Sequence, residues 1–212
     1  KALLSSGKKA IGAGAGNPPV IVDDTADVEK AGADIVAGAS FDNNLPCIAE
    51  KECFVFQNVA DELIASMQKN GAYLISGADI DKLVKLCLIE KNGKYSINKD
   101  WVGRDAKKFL KAIGIEADPR LIICEVDNDH PFVQVEMMMP VLGIVRVKNI
   151  DEAIKLAVAA EHGNRHSAHI HSKNIDNLSR FARAVETTIF VKNAPSYAGI
   201  GAGGEGYTTF TI

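Results

Sequence analysis

Short, nearly continuous apolar runs alternate along this chain with longer segments whose apolar residues recur at helical spacing. Val20-Ile21-Val22, after Pro18-Pro19, reads as a short buried strand. Residues 27–37 read as a helix, with Asp24 or Thr25 as candidate caps. The pattern then predicts a strand at 52–56, an amphipathic helix at 59–69 and another helix at 78–89. Asn92-Gly93 marks a turn, and a helix over 104–113 stops at Gly114. Strands follow at 121–126, 141–147, 167–171 and 187–191, with helices between them at 151–161 and 174–185. Apolar strands of this kind, alternating with helices, predict an α/β fold: a mostly parallel sheet with helices on both faces. No internal repeat or low-complexity linker divides the 212 residues, so one domain over 1–212 is expected.

Composition narrows the function classes. The chain is 47% hydrophobic and 24% charged, with a formal net charge of -3. No basic block supports nucleic-acid binding, and no apolar run approaches the ~20 residues of a membrane span. The four cysteines, Cys47, Cys53, Cys87 and Cys124, form no CxxC pair, which argues against structural zinc. Their irregular spacing fits reduced thiols in a cytoplasmic compartment.

The candidate chemistry centres on Ser40-Phe41-Asp42-Asn43-Asn44-Leu45-Pro46-Cys47-Ile48-Ala49-Glu50-Lys51. Cys47 follows an Asn- and Pro-rich turn and precedes a plausible helix. A helix N-terminus there would stabilise a thiolate, and its N–H groups could hold an oxyanion. A lone cysteine is more often a small buried hydrophobe, and that reading stands beside the nucleophile. Cys53, inside a β-rich run, reads as core.

Other signals weigh less. Gly199-Ile200-Gly201-Ala202-Gly203-Gly204 spells GxGxxG, but a strand-like end at 207–212 follows where a helix is required. The run Gly12–Gly16 precedes a strand instead of following one. Neither is a dinucleotide loop in context, although close backbone approach to another group fits both. His169 and His171 share one strand face, with His162 and His166 nearby, but no carboxylate or cysteine is placed to complete a metal site, and none is expected. Trp101 carries no functional signal.

Three motifs in order carry a family resemblance over nearly the whole chain. Gly14-Ala15-Gly16-Asn17-Pro18-Pro19-Val20-Ile21-Val22-Asp23-Asp24-Thr25-Ala26-Asp27 resembles the aldehyde dehydrogenase segment Glu-Leu-Gly-Gly-Lys-Asn-Pro, strand, Asp-Ala-Asp. Cys47 follows after an Asn-rich turn, and Glu136-Met137-Met138-Met139-Pro140-Val141 resembles the Glu-x-Phe-Gly-Pro-Val box. Gly12 stands where hydrolytic members carry the glutamate that activates water. That departure, the wording Phe41-Asp-Asn-Asn-Leu-Pro-Cys47, the Met run and Asn164-Arg165-His166-Ser167-Ala168 resemble the CoA-acylating branch. Within it, the chain is most similar to acetaldehyde and propionaldehyde dehydrogenases of bacterial microcompartments.

The resemblance implies an aldehyde dehydrogenase catalytic-domain fold with Cys47 as nucleophile. It implies Glu136 and Pro140 at the ribose next to the nicotinamide of NAD, and His166 positioning coenzyme A. It further implies a short-chain aldehyde substrate, a homo-oligomer when full-length, and a location inside a microcompartment. The family's N-terminal nicotinamide-binding domain and C-terminal oligomerisation segment are not found in these residues, so the chain by itself is expected to be inactive. A hydrolytic aldehyde dehydrogenase, another thiol enzyme pairing Cys47 with a histidine, and a non-catalytic assembly module remain open.

Overall fold

The computed structural model describes residues 5–9 and 15–203. Its elements run β1 (Pro19–Val22), α1 (Val28–Ala39), β2 (Glu52–Phe56), α2 (Ala60–Lys69), β3 (Ala72–Leu74), α3 (Ala78–Cys87), β4 (Leu88–Lys91), β5 (Lys94–Ile97), α4 (Ala106–Ala112), β6 (Leu121–Glu125), α5 (Pro131–Gln134), β7 (Val141–Val147), α6 (Ile150–Ala160), β8 (Ser167–His171), α7 (Ile175–Val185) and β9 (Ile189–Lys192). Seven strands form one sheet in the order β3-β6-β7-β2-β1-β8-β9, and every pairing in it is parallel. The expected α/β architecture is therefore present.

The strand period of two sorts the core onto both faces. Val20, Val22, Cys53 and Val55 pack with α1 and α2 on one face. Ile21, Phe54 and Phe56 pack with α6 and α7 on the other. Burial on both faces is why β1 and β2 read as continuous apolar runs.

Two local expectations are corrected. The helix over 78–89 ends at Cys87, and the next residues pair as an antiparallel hairpin, β4 with β5. Asn92 and Gly93, both at positive φ (53° and 72°), make its turn. Leu88 is buried, while Ile89, Glu90 and Lys91 are exposed. The cap of α1 is Asp27, not Asp24 or Thr25. Thr25 instead donates through its hydroxyl to the buried Asp23 carboxylate (2.6 Å), which also accepts from Asn177 Nδ2 (2.8 Å). Those bonds tie β1 to α7 at the C-terminal end of the sheet.

Candidate active site

The segments that resemble family motifs all lie just before strands: 15–18 before β1, 41–51 before β2, 136–140 before β7 and 164–166 before β8. Those four strands are consecutive in the sheet, as β7-β2-β1-β8. Their N-terminal ends therefore bring together residues that are far apart in the chain.

The loop that carries Cys47 follows α1. After α1, Asp42, Asn43 and Asn44 all hold left-handed backbone, with φ of 46°, 53° and 64°. Asp and Asn tolerate that region better than most residues, which accounts for the polar run. Asn44 is buried, and its Nδ2 donates to the carbonyls of Ala39 (2.8 Å) and Glu50 (3.0 Å), closing the loop on itself. Asn43 Nδ2 donates to the Gly103 carbonyl (3.1 Å), and Gly103 N–H donates to Met138 O (3.1 Å). Gly103, at φ 69°, thus joins this loop to the one carrying Glu136, and an added Cβ would press on Leu45 at 3.0 Å.

Cys47 is partly exposed, whereas Cys53, Cys87 and Cys124 are buried. Burial pushes the Cys53 and Cys87 thiols far up and that of Cys124 to about 12, so none of the three forms a thiolate near neutrality. No helix follows Cys47, contrary to expectation. Residues 46–49 form a turn closed by Ala49 N–H donating to Pro46 O (3.0 Å), and the chain passes into β2. Ile48 is instead buried beside Ile189, Val191 and Ile200.

The charge at this position comes from Lys51. Its ammonium is 4% exposed and donates to Asn44 O (3.0 Å), Asn44 Oδ1 (2.6 Å) and Pro46 O (3.2 Å). Burial pushes Lys51 down to about 8, against the opposing pull of Glu136, Cys47, Glu52 and Glu50.

Glu136 is half-buried, and its Oε2 accepts from the Gly16 N–H at 3.1 Å. Burial raises its pKa, and the Gly16 bond and Lys51 oppose that rise. Pro140 is buried and its carbonyl accepts from Ile122 N–H (2.9 Å), so it acts as the joint that leads into β7. His166 is buried, its N–H donates to Glu161 Oε1 (2.9 Å), and its Nδ1 lies 2.8 Å from Ser167 Oγ. Burial first, then Lys51, lowers the His166 pKa, so the ring is neutral. Its Nε2 is buried with no partner among the described residues. Gly16 sits between them: a Cβ there would meet His166 Cγ at 3.1 Å and Cys47 O at 3.4 Å.

Cys47, Glu136 and His166 therefore converge. The half-buried Glu136 carboxylate and the partnerless His166 Nε2 offer an acceptor and a polar ring atom for a bound cofactor, a fit with nicotinamide and coenzyme A binding.

The remaining candidates separate from this site. His169 Nε2 donates to Ile48 O (2.9 Å) and burial pushes it down to about 3; burial also pushes His171, 4.0 Å from Asp34, down to about 4. Among the described residues no group of His, Cys, Asp or Glu is arranged to hold a metal. Gly199 packs directly on Ile189, where a Cβ would fall 2.5 Å from Cγ2, so it serves close approach to β9. Gly12, Gly204 and residues 207–212 lie outside the described residues. Trp101 packs on Phe109.

Asn44, Glu50 and Lys51 had no role in the sequence reading. The available signal was Glu50-Lys51-Glu52 directly before an all-apolar buried strand, where three charges cannot all be solvated.

Residues 2–208 match the model of the aldehyde dehydrogenase family, and the chain belongs to that family. Its more particular likeness is to CoA-acylating members. It is 53% identical over 212 residues to a propanal dehydrogenase (CoA-propanoylating) of Salmonella typhimurium, covering 99% of this chain and 45% of that protein. The Rhodopseudomonas palustris propionaldehyde dehydrogenase with bound CoA and an acylated cysteine superposes with a TM-score of 0.95 at 54% identity, over 100% of this chain and 48% of that one. A propionaldehyde dehydrogenase from the fucose utilisation microcompartment of Clostridium phytofermentans gives 0.94 at 54% identity, with the same coverage. The chain spans about half the length of the relatives it matches. No helix among the described residues is long and apolar enough to cross a membrane.

Proposed function

We propose that this chain is the cysteine-bearing catalytic domain, over 1–212, of an oxidoreductase that converts a short-chain aldehyde, propionaldehyde or acetaldehyde, with NAD and coenzyme A into acyl-CoA and NADH. The observation that carries the reading is the meeting of partly exposed Cys47 with Glu136 and His166 at the N-terminal ends of four adjacent strands. The likeness to enzymes named for CoA-dependent acylation supports the substrate class.

Cys47 Sγ, as thiolate, adds to the aldehyde carbon and forms a thiohemiacetal. The Cys47 N–H is available to the oxyanion. A bound nicotinamide supplies the hydride acceptor. Loss of hydride leaves a thioester on Cys47, which passes its acyl group to the thiol of coenzyme A. Glu136 and Pro140 would border the nicotinamide ribose, and neutral His166 would orient coenzyme A through Nε2. Gly12, where a hydrolytic enzyme carries its base, leaves water without a general base at that position.

Half the length of the relatives lies outside the match, so the nicotinamide-binding domain belongs to the rest of the protein in this reading. The 212 residues alone would then fold without turning over aldehyde. The whole enzyme would be a homo-oligomer, housed in the cytoplasm within a microcompartment.

The test is NADH formation by the whole protein with aldehyde and coenzyme A added singly and together. Dependence on both is the expected result. Acid released as fast in the absence of coenzyme A would leave only the family assignment.

A further inference from the structure

Lys51 is an unusual neighbour for a nucleophile. Its ammonium has three N–H donors, and all three go to oxygens of the loop just before Cys47: Asn44 O, Asn44 Oδ1 and Pro46 O. None of the three is a carboxylate, so its positive charge is bonded but not cancelled. It is buried too deeply for water to screen it.

The charged and titratable groups around it come from every adjoining segment. They are Glu50, Glu52 and Cys47 from its own loop and strand, Glu136 from the loop before β7, and His166 and His169 at β8. Burial holds the Glu52 carboxyl well above the usual range, and neither of its oxygens has a partner among the described residues. Burial also lifts Glu50, to about 7, and its Oε1 is committed to the Ser196 N–H. Both histidines are held neutral by burial. Glu136 and Cys47 lie within the ammonium's field and, unlike Glu50 and Glu52, are only partly buried.

We propose that Lys51 is the positioning residue of the nucleophile: it pins the loop through the Asn44 and Pro46 carbonyls and presents its fixed positive charge to Cys47. It does the work that a helix N-terminus would do, with a full charge in place of the roughly half charge of a helix end. The inference rests on Cys47 being the nucleophile, and the experiment separates the two.

The whole protein and its Lys51→Gln and Lys51→Met variants are treated with iodoacetamide over a pH series, and alkylation of Cys47 is followed by mass spectrometry. Gln keeps amide donors for the loop carbonyls without the charge; Met keeps neither. Both variants should show the Cys47 profile displaced to higher pH, with the rate near neutrality down roughly ten-fold or more and the alkaline plateau retained. An unchanged profile in Lys51→Gln would overturn the charge role, whatever happens to the rate at the plateau. A Cys47 that stays inert at every pH in the folded parent would overturn the nucleophile itself.

Should neither variant fold by circular dichroism, a second measurement leaves position 51 intact. The parent and Cys47→Ser are compared by NMR of 15N-labelled lysine. By reciprocity, losing the thiolate should move the Lys51 ammonium's titration to lower pH. The same midpoint in both proteins would overturn the proposal.

Discussion

The N–H of Gly16 donates to Glu136 Oε2 at 3.1 Å, across 120 residues of chain. This bond joins the lead-in to β1 with the lead-in to β7, strands that are separated in the sheet only by β2. It lies beside the turn that carries Cys47, and it partly offsets the cost of burying the Glu136 carboxylate.

Gly16→Ala tests how closely these segments are fitted. The new Cβ would press on the His166 ring, 3.1 Å from Cγ and 3.3 Å from Cδ2, so that ring must shift by a few tenths of an ångström, while Cys47 O at 3.4 Å stays in ordinary contact. Displacements of reacting groups cost rate more than stability. We expect kcat/KM for aldehyde in the whole enzyme to fall about ten-fold or more, with Tm lowered by only a few degrees. Steady-state kinetics and a thermal melt on the same preparation check this.

The cysteines should divide by burial. Cys47→Ala should abolish acyl-CoA formation and leave the fold intact, because Cys47 is partly exposed in a turn. Cys53→Ala removes a fully buried side chain from β2 and should cost about 1 kcal/mol or more of stability with little change in kcat. Denaturant melts and NADH assays of both variants separate the outcomes; retained activity in Cys47→Ala would end the assignment.

Glu50 predicts a pH dependence of stability. Its carboxylate lies against Gly38 of α1 and accepts from the Ser196 N–H, and burial lifts it from an ordinary 4.5 to about 7. A raised carboxyl stabilises the fold fully below its unfolded value, and that contribution is lost as pH rises through the folded one. Glu50→Gln keeps an acceptor for Ser196 and does not titrate. The parent's stability relative to this variant should therefore fall as pH rises from 4.5 through about 7, by roughly 3 kcal/mol at most. Paired urea melts across that window read the difference directly.

Gly12→Glu asks whether the absent base directs the thioester to coenzyme A. In the whole enzyme we expect some acid production without coenzyme A, at or below the low end of the ~10²–10⁴-fold that general-base help supplies. Free acid and acyl-CoA are measured separately for parent and variant. Equal hydrolysis by a folded variant would move the explanation to exclusion of water by the pocket.

What the sequence by itself determined was local or periodic. Val20-Ile21-Val22 and residues 121–125 are apolar at every position or nearly so, and only a sheet covered on both faces buries such runs, so the parallel α/β class was legible. Cys47 stood out because a polar Asn-rich turn announces special backbone, and three left-handed residues do occur there. The tertiary structure decided what depends on distant neighbours. Strand order is one such quantity, and it is strand order that carries Gly16, Cys47, Glu136 and His166 to one end of β7-β2-β1-β8. Charge is another: Glu50-Lys51-Glu52 reads as a solvated cluster in the chain, but all three are buried once β2 is flanked by β1 and β7. The helix expected after Cys47 fails for the same reason. Ile48 is drawn inward against Ile189, Val191 and Ile200, neighbours distant in the chain, and a buried lysine stands beside the turn where a helix end was expected.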